Sequence, residues 1–121
     1  MEYKFINPEY LDSVSGGDVK IIIEIVDMFR SQVVEVYNEM NSLLNKKDYK
    51  SLGLLAHKAK ASVAIMGMTN MTEVLKTFEL QAKSEEKTEL YKSYIELFKS
   101  ETADALKELD DLIKNRLNNN K

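Results

Sequence analysis

The sequence predicts an all-α protein, an antiparallel up-and-down four-helix bundle with a short additional N-terminal helix. Apolar residues recur every three or four positions over long segments, which is the period of an amphipathic helix. The 121 residues include only four glycines and one proline, which is few for the many turns of a sheet protein. The links between segments are short, and short links make neighbouring helices antiparallel. A single domain over residues 1–121 is expected from this length.

The first helix is predicted to be short. Asn7 suits the N-cap position, Pro8 the first helical position and Glu9 the first turn. The Ser-Gly-Gly-Asp turn at residues 15–18 then ends the helix. Asp18, the last residue of this turn, can cap the next helix.

The second helix is predicted from about Val19 to Asn45. Asp48 can cap the third helix, which is expected to stop at Gly67. The second helix should bury one apolar stripe, made of Ile22, Ile25, Val26, Phe29, Val33, Val36, Tyr37, Met40, Leu43 and Leu44.

The fourth helix is expected to open within residues 69–73, where Asn70 and Glu73 have the spacing of a capping box. A polar break at residues 84–87 precedes the last helix, and the polar tail at residues 118–121 is expected to fray. The last helix should bury Tyr91, Tyr94, Ile95, Phe98, Thr102, Ala105, Leu106, Leu109, Leu112 and Ile113.

Composition excludes several classes of function. The chain has no cysteine, which rules out disulfides, thiolate metal sites and a cysteine nucleophile. The net charge of −3 argues against a nucleic-acid partner. The N-terminus lacks the apolar run of a signal peptide, and the densest apolar segment, residues 21–26, is too short to span a bilayer. These features predict a cytoplasmic protein without a membrane partner.

His57, the only histidine, lies in the third helix about 200° around the helix from Leu55, a residue of the apolar stripe. Most of its own face is small: Gly53, Ala61 and Ala64 occur there, together with Lys60. Such a face would let another protein approach the imidazole closely. The segment around the histidine is also basic, which would attract an acidic partner or a phosphate. The opposite, apolar stripe is expected to comprise Leu52, Leu55, Ala59, Ser62, Val63 and Met66.

Few chemistries remain for this residue set. One histidine and no cysteine support metal binding poorly, and no glycine-rich phosphate loop is present. A hydrolytic triad is poorly supported because Ser62 falls on the expected core face and nothing marks an oxyanion hole. A neutral imidazole can act as a nucleophile toward phosphorus, and Lys60 could offset the charge of the transferred group. A lone helical histidine is nevertheless more often an ordinary surface residue.

At these residues the chain resembles a known family, the histidine-containing phosphotransfer (HPt) domains of bacterial phosphorelays. Residues 56–62 read Ala-His-Lys-Ala-Lys-Ala-Ser, against a family pattern of Ala-His-x-Leu-Lys-Gly-Ser/Ala, and Gly67 matches a later glycine. The resemblance extends over roughly residues 5–112. It includes the short first helix and Gly-Asp turn at 10–18, the helix opening at 25–29, and Leu75, Phe78, Glu79, Ala82 and Lys83 on the fourth helix.

The resemblance implies a role for each matching position. His57 would be the phosphoacceptor, Lys60 would steady the phosphoryl group, and Glu79 would hold the other ring nitrogen. The expected partner-binding residues are Gly53, Lys58, Ala61, Ala64 and Lys83. Taken alone, Lys60 would be a solvated lysine, and Glu79 an exposed acid that pairs with Lys83 at the i,i+4 spacing.

Two positions depart from the family pattern. Ala59 replaces a leucine and removes apolar volume, which Met66 or Met68 could partly fill. Ala61 replaces a glycine, which favours the helix by about 1 kcal/mol but adds a methyl group to the docking face.

The resemblance implies a phosphorelay intermediate that carries a phosphoryl group on His57 between aspartates of receiver domains. Its partners would be response-regulator receiver domains, a hybrid sensor kinase, or both, and the protein would act as a monomer without its own kinase activity. No cofactor is expected on this chain, since Mg²⁺ would belong to the receiver's acidic pocket. One alternative is a non-transferring adaptor that binds a receiver through the same face. Another is a piece of a larger kinase, although the polar C-terminus favours a stand-alone protein.

Overall fold

A computed structural model describes residues 3–119, and the part of the chain that it describes contains helices and no strand. This confirms the predicted all-α class. The elements are α1 (Pro8–Ser15), α2 (Val19–Asn45), α3 (Tyr49–Ile65), α4 (Thr69–Lys83), a short 3-10 helix (Thr88–Leu90) and α5 (Tyr91–Asn119).

The four long helices run antiparallel to their neighbours, as predicted. Three polar contacts between α2 and α5 show this, because their α2 residues ascend while their α5 residues descend. These contacts are Arg30 with Asp110, Tyr37 with Glu96, and Asn41 with Lys92. The helix α3 packs more extensively on α4 than on any other helix, and we call this interface the α3–α4 seam. His57 lies on α3 beside this seam and contacts Glu79 of α4.

The three predicted side-chain caps of α1, α2 and α3 are confirmed. The Oδ1 atom of Asn7 accepts the Glu9 amide at 3.1 Å, with Pro8 in the first turn. Asp18 and Asp48 likewise accept amide hydrogens of the helices that follow them, at 2.9 and 3.2 Å. Each cap satisfies one of the unpaired donors at a helix start, which explains why these boundaries could be read from sequence.

The predicted capping box at the start of α4 is wrong. Met68 occupies the N-cap position and makes no side-chain cap, so α4 begins at Thr69. The reason is the tight turn at Gly67, whose φ is +73°, together with the burial of Met68. The Thr72 hydroxyl donates to the Met68 carbonyl at 2.9 Å. Tertiary packing, and not the polar pattern at Asn70, therefore determines where this helix starts.

The core is built from the predicted stripes. Every buried residue of α2 and of α5 belongs to the stripe predicted for its helix. Ala59 is buried on α3 and lines an apolar crevice of about 10 Å³ between α2, α3 and α5. Neither Met66 nor Met68, which were expected to fill part of the missing volume, lines this crevice. Both lie at the α3–α4 turn, about two helical turns beyond Ala59.

Ser62 departs from its predicted place in the core. It is half-buried at the edge of α3, and its hydroxyl donates to Oε1 of Gln32 at 2.7 Å. The helix α5 continues through Asn119, so the part of the predicted polar tail at 118–119 is helical. The remainder of that tail, residues 120–121, lies outside the described residues.

The segment before α1 is fastened at one end of the bundle. The carboxylate of Glu108 accepts three consecutive backbone amides, those of Lys4, Phe5 and Ile6, at 2.9 to 3.1 Å. The Asn7 amide donates to the Met66 carbonyl at 3.1 Å. This segment therefore closes over the α3–α4 turn. Within residues 3–119, no helix has the length and apolar character needed to cross a membrane.

Candidate functional site

The imidazole of His57 projects from the middle of α3 with 59% of its side chain exposed. Its Nδ1 atom lies 3.1 Å from both carboxylate oxygens of Glu79, which is on α4. An ionised carboxylate accepts hydrogen bonds and cannot donate them, so this contact requires a hydrogen on Nδ1. In the neutral ring, Nε2 then carries the free lone pair.

Glu79 is buried, contrary to the expectation of an exposed acid. Only 8% of its side chain is exposed, and its carboxylate accepts from two lysines besides His57. Lys60 Nζ lies 3.1 Å from Oε1, and Lys83 Nζ lies 2.8 Å from Oε2. The predicted i,i+4 pair of Glu79 with Lys83 is therefore present, but its acid is buried against α3 while its lysine is half exposed. Every oxygen of the buried carboxylate is satisfied, as burial of a charge requires.

The two lysines determine the charge of this carboxyl group. The hydrogen bond from Lys83, with smaller contributions from Lys60 and His57, lowers the pKa of Glu79 to about 2, although burial opposes the change. A carboxyl group with this pKa is ionised at every physiological pH. The imidazole therefore faces a permanent negative charge on its Nδ1 side, which favours the hydrogen on Nδ1 and stabilises positive charge on the ring.

This low pKa makes the stability of the protein depend on pH. The folded pKa of Glu79 lies below its ordinary value of 4.5, so its contribution is fully present above that pH and is lost as the pH falls toward about 2. We expect a loss of about 2 kcal/mol in the free energy of unfolding, because the partly exposed lysines are screened by solvent. Denaturant titrations between pH 6 and pH 2.5 would measure it.

The matched control for this prediction is Glu79→Gln. Other carboxylates with lowered pKa values, such as Asp12 beside Arg116, are present in both proteins and contribute equally to both. The difference in stability between wild type and variant therefore isolates Glu79. A difference that stays constant from pH 6 to pH 2.5 would contradict the assignment.

The prediction that Gly53 contacts a partner is wrong, because the structure buries this residue. A Cβ atom built there would lie 3.3 Å from the Glu79 carbonyl oxygen and 3.3 Å from Lys83 Cγ. The small residue at this position lets α4 approach α3, and this approach brings Glu79 within reach of His57. The helical wheel placed Gly53 correctly beside the histidine, but it could not show that α4 covers that side.

The other predicted contact residues are exposed or partly exposed. Lys58 and Ala61 are exposed, Ala64 is half-buried, and Lys83 is 49% exposed although it pairs with Glu79. Sequence reasoning missed Leu54, which is 60% exposed one turn before His57. Its signal was present, because a leucine off the apolar stripe of an amphipathic helix is exposed by its register. The exposed face of α3 is thus mixed, with cations and apolar groups beside the ring.

Comparison with known proteins gives one family and no individual relative. A family model for the Hpt domain matches residues 24–92, which is more than half of the chain. The match includes His57, Lys60, Glu79 and Lys83. Neither the curated proteins nor the solved structures contained a match.

The matched family has a known general activity and a known class of partner. Hpt domains take part in histidine phosphotransfer in phosphorelays, and they generally interact with response-regulator receiver domains. Both the helical bundle and the accessible histidine agree with that role. The chain belongs to the Hpt domain family.

Proposed function

We propose that His57 carries a phosphoryl group between the aspartates of response-regulator receiver domains. The observation that supports this most directly is the bond from His57 Nδ1 to the buried carboxylate of Glu79. It orients an exposed ring and leaves Nε2 as the nucleophile. The roles proposed for individual residues of this chain go beyond the general activity of the family.

The phosphoryl transfer requires no proton to move. The Nε2 lone pair of His57 attacks the phosphorus of a receiver's aspartyl phosphate, and the bond between phosphorus and the aspartate oxygen breaks. The electron pair of that bond leaves with the aspartate as a carboxylate. The ring, still carrying its hydrogen on Nδ1, gains positive charge, which the ionised Glu79 offsets. Passing the group to a second aspartate reverses these steps.

Lys60 has the position to assist at the phosphoryl group. It lies three residues after His57 on α3, which places the two side chains on neighbouring positions of one helix face. An ammonium group has three donors, so Lys60 can bind phosphoryl oxygens after loosening its contact with Glu79. The Mg²⁺ ion is assigned to the receiver's own acidic pocket, and no metal is assigned to this chain.

We expect one small receiver domain to bind transiently to a single-domain monomer of this protein. Lys58, Ala61 and Ala64 lie around the ring and form its contact surface. A relay needs each partner to leave, so we expect a contact at the small end of the interface range. The alternative function is a non-transferring adaptor, and Ala61 favours it because this residue adds a methyl group to the position where the family has glycine.

The deciding experiment is transfer from a labelled receiver. A receiver domain phosphorylated on its aspartate is mixed with the folded protein, and label on the protein is followed with time. Label that is stable in alkali and lost in acid indicates a bond from phosphorus to nitrogen, as in phosphohistidine, and its absence from His57→Gln assigns it to His57. Binding of the receiver without any label would overturn the carrier proposal and favour the adaptor.

Glu79→Gln tests how much the charge beside the ring matters. Glutamine can still accept the Nδ1 hydrogen, but it cannot offset the positive ring, so we expect transfer about tenfold slower. Glu79→Ala also loses the orientation and should be slower again. Single-turnover rates with one receiver at saturating concentration measure both. Equal rates for the wild type and the alanine variant would contradict the role of Glu79.

A further inference from the structure

Two lysines hold the carboxylate of Glu79, and they reach it from different helices. Lys60 of α3 contacts Oε1 at 3.1 Å, and Lys83 of α4 contacts Oε2 at 2.8 Å. Lys60 shares a helix with the reacting histidine, whereas Lys83 lies one turn after Glu79 on the same helix as that acid. The shorter contact is thus the local one within α4.

Phosphorylation would place competing demands on Lys60. The proposed function turns its ammonium toward phosphoryl oxygens on the outer side of the ring, away from Glu79. A buried carboxylate that loses its only cation is strongly destabilised, because its desolvation is no longer compensated. Glu79 avoids this, since Lys83 still binds Oε2 and the Nδ1 hydrogen of His57 still reaches the carboxylate.

We infer that Lys83 is a positioning residue, which keeps the Glu79 carboxylate paired and in place so that Lys60 can leave it for the phosphoryl group. This inference rests on the proposed function of His57. It replaces the sequence-based expectation that Lys83 acts chiefly by contacting the partner. It also divides the work of the two cations, because Lys83 stays with Glu79 and Lys60 changes its partner.

The packing around Gly53 supports this assignment. A Cβ atom at Gly53 would lie 3.3 Å from Lys83 Cγ, so the stem of Lys83 lies against α3. This contact helps to direct the ammonium along the helix seam to Glu79. Lys83 is also the largest cause of the lowered pKa of Glu79, ahead of Lys60.

A donor that needs no partner protein tests the inference most directly. Phosphoramidate transfers its phosphoryl group to an imidazole nitrogen: the P–N bond of the donor breaks, a new bond to Nε2 forms, and the amine leaves as ammonia after taking a solvent proton. Phosphorylation rates are compared for wild type, Lys60→Met, Lys83→Met and the double variant. Methionine removes the charge and keeps an unbranched stem of similar length.

The expected pattern is non-additive. Each single variant should react about tenfold more slowly than wild type, as for loss of one charge-assisted hydrogen bond. Without Lys83, Lys60 must remain on Glu79, so the two losses overlap. Removing both lysines should therefore slow the reaction by well under a hundredfold, although Glu79 then keeps only the Nδ1 hydrogen of His57. Independent roles would instead make the double variant about a hundredfold slower than wild type.

Two further measurements separate positioning from a merely structural effect. Lys83→Arg keeps a cation beside Glu79 and should restore at least half of the wild-type rate, whereas a loss of packing would not be rescued by charge. The ¹⁵N chemical shift of His57 Nδ1 should stay at its wild-type value in Lys83→Arg and change in the double variant. Lys107→Met, an exposed change on α5, serves as the control and should react at the wild-type rate.

The failure of this inference differs from the failure of the proposed function. A wild-type rate for Lys83→Met beside a slow Lys60→Met, or a fully additive double variant, would overturn the inference and leave the carrier function intact. A folded wild type that takes no phosphoryl group from phosphoramidate or from any receiver would contradict the carrier function itself, and the inference with it.

Discussion

Replacing His57 with glutamine should abolish phosphoryl uptake while leaving the fold and receiver binding unchanged. The amide has no lone pair on nitrogen that can attack phosphorus, so no residual transfer is expected at this position. The site is more than half exposed, and glutamine is at least as good a helix former as histidine. We therefore expect a change of less than about 0.5 kcal/mol in the free energy of unfolding. Label from a phosphorylated receiver should fall below detection.

A matched surface change makes this result specific. Lys50→Gln alters an exposed side chain on the same helix, two turns before the histidine, and should retain transfer. Receiver binding, measured by titration calorimetry, should be similar for wild type and His57→Gln. Alkali-stable, acid-labile label on His57→Gln would show that another residue accepts the group, because the chain has no second histidine.

Sequence reasoning was most successful where one local signal determines one feature. Side-chain caps at Asn7, Asp18 and Asp48 act within three residues, and the apolar periods of α2 and α5 define a single face each. It failed at the start of α4, where the turn at Gly67 and the buried Met68 overrule a favourable polar pattern at Asn70. That outcome depends on contacts with residues far away in sequence, which periodicity does not contain.

The candidate site shows the same division. The register of α3 places His57, Lys58 and Ala61 on one exposed face, and this could be read from the sequence. The burial of Glu79 could not, because it results from the close approach of α4 at Gly53. The acid looked like an ordinary partner for Lys83 on a solvated helix. The packing of α4 against α3 buries the carboxylate of this pair and places it beside the imidazole.

The glycine of the α3–α4 turn should be the most sensitive backbone position. Gly67→Ala should lower the free energy of unfolding by about 3 kcal/mol. Its φ of +73° disfavours any residue with a Cβ by about 1 kcal/mol. The new Cβ would also lie 2.5 Å from the Asn7 Cβ and 2.7 Å from the Asn7 nitrogen, so the N-terminal segment must move. That movement disrupts the bond from the Asn7 amide to the Met66 carbonyl.

Gly17→Ala separates strain from steric overlap. Gly17 has nearly the same backbone angle, a φ of +78°, but a Cβ there would meet nothing within 4 Å. It should therefore cost about 1 kcal/mol, for the backbone strain alone. Thermal unfolding should place Gly67→Ala about 10 °C below wild type and Gly17→Ala only a few degrees below. Equal losses would show that the N-terminal segment yields without cost. Below its melting point, Gly67→Ala should still accept a phosphoryl group, because the Gly53 contact that seats Glu79 lies more than three turns away along α3.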